Sequence, residues 1–169
     1  MSIIRDVKIR RIKPSDLPAV VLVENASFPI PWEVQDFRHT LGSKDNIGFL
    51  AEINKEVIGY CIYRLDTEQA QMSIISMAVA PHMRRKRIGV IMLLGEDAIE
   101  ELNCKRVCLT VSDDNLPAHL FFRATGFRAE TITRNFFGPG HDGYNFVYRL
   151  GNPYKLNKRK QLDESCQGK

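Results

Sequence analysis

Between Val79 and Leu94 the sequence reads VAPHMRRKRIGVIMLL, placing four consecutive cations, Arg84, Arg85, Lys86 and Arg87, ahead of Gly89 and an apolar run with helical spacing. A helix start already presents unpaired N–H groups and the positive end of the helix dipole, so cations clustered there are the wrong sign. A docked anion reverses the argument. Backbone N–H groups, dipole and side chains then act together, and a phosphate is the natural ligand. The stretch contains neither GxxxxGK[ST] nor GxGxxG, which removes the two commonest nucleotide loops. On charge alone, a solvated basic turn is the competing reading.

The other residue types capable of chemistry are scattered. Cys61, Cys104, Cys108 and Cys166 form no CxxC pair, and His39, His82, His119 and His141 have no metal-ligand spacing, so no metal is expected. MSIIRDVKIRR is too charged to be a signal sequence, and no run of about 18 apolar residues could span a membrane. The expectation is a soluble, cytoplasmic protein with reduced thiols and no membrane partner. Of the net charge of +4, the segment 155–169 contributes +3, leaving a nearly neutral body. The cations at 84–87 are therefore a local feature, and a nucleic-acid partner is not expected. The chain reads as one domain over residues 1–151, followed by a basic tail, 152–169, whose composition predicts disorder.

The elements that must position these residues follow from the hydrophobic pattern. VKIRRI reads as a strand, and KPSDLPAVVLVENA as a helix capped by Ser15 or Asp16 with Pro18 in its first turn. SFPIPW interrupts the chain, and Trp32, Phe37 and Leu41 mark a short second helix. GFLAEI and EVIGYCIYRLD flank Asn54 and Lys55 as a hairpin, and MSIISMAVA is a fourth strand. From Ile88 the positions Met92, Gly95, Ile99 and Leu102 form the stripe of one long amphipathic helix. KRVCLTV is a fifth strand. SDDNLPAHLFFRATGF is a capped helix stopping at Gly126, and FRAETITRNFF and YNFVYRL are the last strands. The fold class is α/β of the α+β type: a mixed, largely antiparallel seven-stranded sheet flanked by helices, with the fourth and fifth strands parallel across a helical crossover.

Strand, basic turn and helix together resemble the GNAT superfamily of acyl-CoA-dependent N-acyltransferases, whose signature is Q/R-x-x-G-x-G/A between strand and helix. Arg84 to Gly89 fills that pattern with Arg87 in place of the first glycine, a change that a helical φ at 87 would accommodate. The element order from about Val7 to Leu150 is similar to a whole GNAT domain, and TVSDDNLPAHLFFRATGF to its second signature. The resemblance implies acetyl-CoA as acyl donor in a splay between the fourth and fifth strands. It implies that the backbone of Met77, Ala78 and Val79 pairs with the pantetheine arm. Arg84 with Arg85, Lys86, Arg87, Ile88, Gly89 and Val90 would hold the pyrophosphate, and Asn115 would contact the arm. The alternative for Asn115 is a plain helix cap.

ENASFPIPW and ITRNFF resemble the branch that acetylates ribosomal-protein alanine N-termini. That implies a protein or peptide N-terminus as partner, a ribosomal protein among the candidates, flanked by Phe28, Pro29, Phe136 and Phe137. The alternative for each aromatic is core packing. Relatives in this branch carry a glutamate base and a tyrosine acid where this sequence has Thr110 and Phe122, neither of which exchanges protons at neutral pH. His119 and Tyr144 are the nearest titratable alternatives, each with an ordinary structural role as its competing reading. An α-amine of pKa about 7.8 is roughly 15% neutral at pH 7, against about 0.04% for a lysine near 10.4. The missing pair therefore favours an α-amine acceptor. Small-molecule amine acetylation and a non-catalytic acyl-CoA-binding module remain open, as does the oligomeric state.

Overall fold

The computed structural model describes residues 6–93 and 96–151. The basic tail, Cys166, Leu94 and Gly95 lie outside the described residues. In chain order the elements are β1 (Lys8–Arg11), a 3-10 turn (Pro14–Asp16), α1 (Leu17–Asn25), α2 (Val34–Gly42), β2 (Asn46–Ile53), β3 (Glu56–Asp66) and β4 (Gln71–Val79). A second 3-10 turn (Pro81–Met83) leads into α3 (Ile88–Met92), followed by α4 (Glu96–Glu101), β5 (Arg106–Ser112), α5 (Leu116–Ala124), β6 (Arg128–Thr133) and β7 (Gly143–Arg149). The seven strands run in the order β1-β2-β3-β4-β5-β7-β6. β1 with β2, β2 with β3, β5 with β7 and β6 with β7 pair antiparallel, whereas β4 and β5 are parallel at Gln71↔Arg106, Met72↔Val107 and Ser73↔Cys108. This is the expected mixed sheet.

The chain divides into two compact units, one of residues 1–65 and 74–93, the other of 66–73 and 94–169. In the first, Asn54 and Lys55 both take positive φ, 50° and 70°, as a tight hairpin turn matched to strand twist requires. β3 is buried from Ile58 to Tyr63, and Phe37 of α2 packs edge-on against Tyr60 at 5.3 Å. In the second unit, Phe122 of α5 packs on Phe127 and on Phe146 of β7, and Phe127 on Tyr148. Gly126 stops α5 with φ 96°.

Two sequence expectations are corrected. Neither Ser15 nor Asp16 caps α1 through its side chain; Asp16 instead closes the 3-10 turn, accepting the Lys13 N–H at 2.7 Å while both its oxygens bind the Arg10 guanidinium at 2.7 and 2.9 Å. The long helix after the basic turn is two short ones. α3 ends at Met92, where Leu93 turns extended (φ −67°, ψ 130°). The run IGVIM combines a glycine with β-branched side chains, a poor helical composition. The Tyr63 hydroxyl donates to the Met92 carbonyl at 3.1 Å, satisfying a group that a longer helix would have used. Of the expected stripe, Met92 and Ile99 are buried and Leu102 is half-buried, while Gly95 lies outside the described residues.

The Arg10–Asp16 pair makes a pH-dependent contribution. The Arg10 guanidinium holds the Asp16 carboxyl below its ordinary range, with the Lys13 N–H assisting and burial opposing. A carboxyl lowered on folding stabilises the native state above its unfolded pKa of about 4, and that contribution is lost as pH falls through the folded value. Asp16→Asn is expected to cost about 1 kcal/mol at pH 7. In urea titrations the difference from the unmodified protein should shrink steadily below about pH 4.

Candidate active site

In the first unit, β4 delivers Met77, Ala78 and Val79 to the basic turn. The Arg84 Nε donates to the Val79 carbonyl at 3.0 Å, folding this side chain back onto the strand end. Arg85, Lys86 and Arg87 are exposed, and among the described residues none of the four cations has an acidic partner. Lys86 Nζ rests 3.8 Å from Met83 Sδ, while Ile88 is buried beneath the turn. No turn hydrogen bond among the described residues uses the N–H groups from Arg85 to Val90. Position 87 does not keep a helical φ: Arg85 and Arg87 are left-handed, at φ 59° and 64°. Arg87 thus holds the conformation a glycine takes freely, at a cost of roughly 1 kcal/mol per such residue. The turn concentrates positive charge and N–H donors that no acid or turn hydrogen bond among the described residues answers.

The same unit places the Phe28–Pro29 loop. Phe28 is half-buried, its N–H bonded to the Glu24 carbonyl at 3.0 Å, while Pro29 and Ile30 face solvent. The loop is tied down by Glu24, the one charged side chain buried among the described residues, at 2% exposure. Its Oε1 accepts the Trp32 N–H at 3.0 Å, its Oε2 accepts the Tyr60 hydroxyl, and Tyr60 shares a 2.7 Å bond with Ser76 of β4. Burial, then the Glu24 carboxylate, raises the Tyr60 phenol well above its usual range.

In the second unit, Thr110 of β5 stands opposite Asn145 of β7. Its hydroxyl donates to Asn145 Oδ1 at 2.8 Å, and Asn145 Nδ2 donates to Thr131 and Thr133 at 2.9 and 3.0 Å. The ladder leaves the Thr110 oxygen able to accept but with no hydrogen to give. Gly143 brings Phe136 beside it: a Cβ at 143 would lie 2.6 Å from Thr110 Cγ2 and 2.9 Å from Phe136 Cβ. Phe136 and Phe137 stack edge-on at 4.9 Å and remain half exposed. Asp142 braces their loop, pairing with Arg134 and accepting the Asn135 N–H at 2.9 Å; that backbone bond, then Arg134, lowers its pKa.

Phe122 is 6% exposed inside the aromatic cluster, with Phe121 at 5.0 Å and Phe127 at 5.3 Å. Asn115 caps α5, its Oδ1 accepting the Ala118 N–H at 3.2 Å, and its side-chain N–H groups have no partner among the described residues. His119 Nε2 lies 2.8 Å from the Ser112 carbonyl, which can only accept, so that nitrogen carries the proton; the ring packs edge-on against Tyr144 and Phe146. Burial raises the thiols of Cys61, to about 12, and of Cys104 and Cys108, so none is an activated nucleophile.

The model of the acetyltransferase (GNAT) family matches residues 17–127, a stretch that includes the basic turn, Thr110, Asn115 and Phe122. The chain belongs to the GNAT acetyltransferase family. An N-alpha-acetyltransferase of Sulfurisphaera tokodaii is 24% identical over 152 residues, covering 83% of this chain and 91% of that protein. The ribosomal protein bS18-alanine N-acetyltransferase of Escherichia coli K12 is 28% identical over 138 residues, covering 80% and 89%. The crystal structure of the Escherichia coli ribosomal-protein-alanine enzyme superposes with a TM-score of 0.75 at 22% identity, over 85% of this chain and 94% of that one. Arabidopsis thaliana NAA60 in complex with acetyl-CoA gives a TM-score of 0.70 at 21% identity, over 85% and 98%.

Within this GNAT chain, Glu24, Tyr60, Ser76, Asn145 and Asp142 were not singled out from the sequence. Glu24 left a signal, because it follows Leu17 by seven residues and Val20 by four, on the buried stripe of α1. A carboxylate there demands partners, although the sequence does not say which.

Proposed function

We propose that the protein transfers the acetyl group of acetyl-CoA directly to the α-amine of a protein or peptide N-terminus. The observation that carries this reading is the pair of residues at the family's acid and base positions. Thr110 has its hydrogen committed to Asn145, and Phe122 is sealed in an aromatic cluster, so neither exchanges protons. The acceptor must bring its own nucleophilicity, which an α-amine has at neutral pH and a lysine lacks. The raised thiols argue against a covalent acetyl-enzyme, and free cysteines suit a reducing, cytoplasmic setting.

The exposed cations and N–H groups of residues 85–90, without acidic or turn hydrogen-bond partners among the described residues, fit a diphosphate. In this reading Arg85, Lys86 and Arg87 hold it with the backbone of Ile88, Gly89 and Val90, Arg84 braces the turn, and the backbone of Met77 to Val79 aligns the pantetheine arm. Asn115 offers its free amide hydrogens to that arm. Acetyl-CoA supplies an activated thioester whose thiolate, with a pKa like that of cysteine near 8.5, departs without a strong acid. By resemblance to the family's peptide-flanking segments, Phe28, Pro29, Phe136 and Phe137 are the candidate apolar contacts for the peptide. The names of the relatives support a protein N-terminus, including that of a ribosomal protein, as the acceptor class.

Competition separates the alternatives. With acetyl-CoA limiting, an alanine-initiated peptide and spermidine at equal concentration should yield acetyl-peptide. Acetyl-spermidine alone would assign a small-molecule amine acetyltransferase, and binding without transfer to either would assign an acyl-CoA-binding module.

A further inference from the structure

Every buried hydrogen in the Glu24 network is committed in one direction. The Tyr60 hydroxyl has a single hydrogen and gives it to Glu24 Oε2. Its 2.7 Å contact with Ser76 must therefore be a bond from the Ser76 hydroxyl to the Tyr60 oxygen. The Ser76 oxygen is left with lone pairs only. The chain of hydroxyls runs from a half-buried position on β4 to a carboxylate that is 2% exposed. Ser76 directly precedes Met77, and the same carboxylate holds the Trp32 N–H at 3.0 Å, at the end of the loop carrying Phe28 and Pro29. The relay and that loop thus share one anchor, within one unit.

We propose that Ser76, Tyr60 and Glu24 form the proton acceptor for acetyl transfer, in place of the base absent at Thr110. The proposal rests on the N-acetyltransferase reading above. The C–N bond forms as the acceptor nitrogen attacks the thioester carbon, and the C–S bond breaks to release the CoA thiolate. The excess proton on nitrogen passes to the Ser76 oxygen as the Ser76 hydrogen moves to Tyr60 and the Tyr60 hydrogen moves to Glu24. Glu24 ends as a neutral acid, and its proton returns along the same hydroxyls to solvent or to the thiolate after the product leaves. Burial keeps the Tyr60 phenol protonated, so it passes a proton only in exchange for another.

Glu24 and Tyr60 act through Ser76 and are positioning residues for its oxygen. Steady-state acetylation of an alanine-initiated peptide by the full chain provides the test, with Ser76→Ala, Tyr60→Phe, Ser76→Thr and the Ser76→Ala/Tyr60→Phe double variant. The two single deletions should each lower kcat at least tenfold with KM for acetyl-CoA within twofold. Because they interrupt one series, the double variant should be no slower than the slower single, while Ser76→Thr recovers most of kcat. Thermal melting separates folding from chemistry, and Ser76→Ala removes only one half-buried hydroxyl. Glu24→Gln, which keeps shape and the Trp32 contact, should match the deletions. A kcat for Ser76→Ala within twofold of the unmodified protein, or losses that multiply in the double variant, would overturn the relay alone. No transfer by the unmodified protein would overturn the functional reading and the relay with it.

Discussion

Replacing Arg85 and Lys86 together by alanine is expected to weaken acetyl-CoA binding by a hundredfold or more while leaving the melting temperature nearly unchanged. The separation follows from their surroundings. Both side chains are exposed and neither pairs with an acid among the described residues, so truncation breaks no ion pair. Hydrogen bonds to charged groups contribute about 1.5–3 kcal/mol each, so two phosphate contacts amount to at least about 3 kcal/mol. That is more than a hundredfold in affinity. Calorimetric titration measures it, and raising the salt should weaken binding to the unmodified protein more than to the variant. An unchanged affinity would remove the diphosphate seat.

Gly59→Ala is expected to destabilise the first unit by about 2–3 kcal/mol and to disturb cofactor binding as well. A Cβ at 59 would lie 2.8 Å from Met92 Sδ and 2.9 Å from the Ala78 carbonyl oxygen. The methionine can swing aside, but the carbonyl belongs to β4 and yields only if the strand shifts. Ala78 is one of the residues proposed to align the pantetheine arm, and Met92 closes the helix after the basic turn. Denaturant titration should show the loss of stability, with acetyl-CoA affinity falling at temperatures where the variant is folded. A variant of unmodified stability would mean that β4 does not approach β3 this closely at Gly59.

What the sequence revealed divides along the range of the interactions. The hairpin at Asn54 and Lys55, the Asn115 cap and the Gly126 stop rest on neighbours within a few residues, and all were legible. The basic turn was legible as a charge pattern. Its two left-handed arginines were not, because a positive φ at a non-glycine residue depends on surrounding structure. The break after Met92 was hidden because both short helices keep the same apolar period, and the group that takes the freed carbonyl, Tyr63, stands 29 residues away. Glu24 was visible only as a charge in an apolar stripe; its partner Tyr60, and Ser76 bonded in turn to Tyr60, lie on two strands of the sheet. Thr110 could be read as a missing base, but its orientation depends on Asn145, 35 residues on. Local chemistry identified the elements and the basic turn proposed as an anion seat, whereas the polar networks required the sheet.

The most direct test is to incubate the full chain with acetyl-CoA and one peptide bearing a free α-amine and an internal lysine, then to locate the added acetyl group by fragmentation mass spectrometry. The expected result is acetylation of the α-amine at neutral pH with the lysine unmodified. Acetylation of the lysine in preference to the α-amine, or of neither, would contradict it.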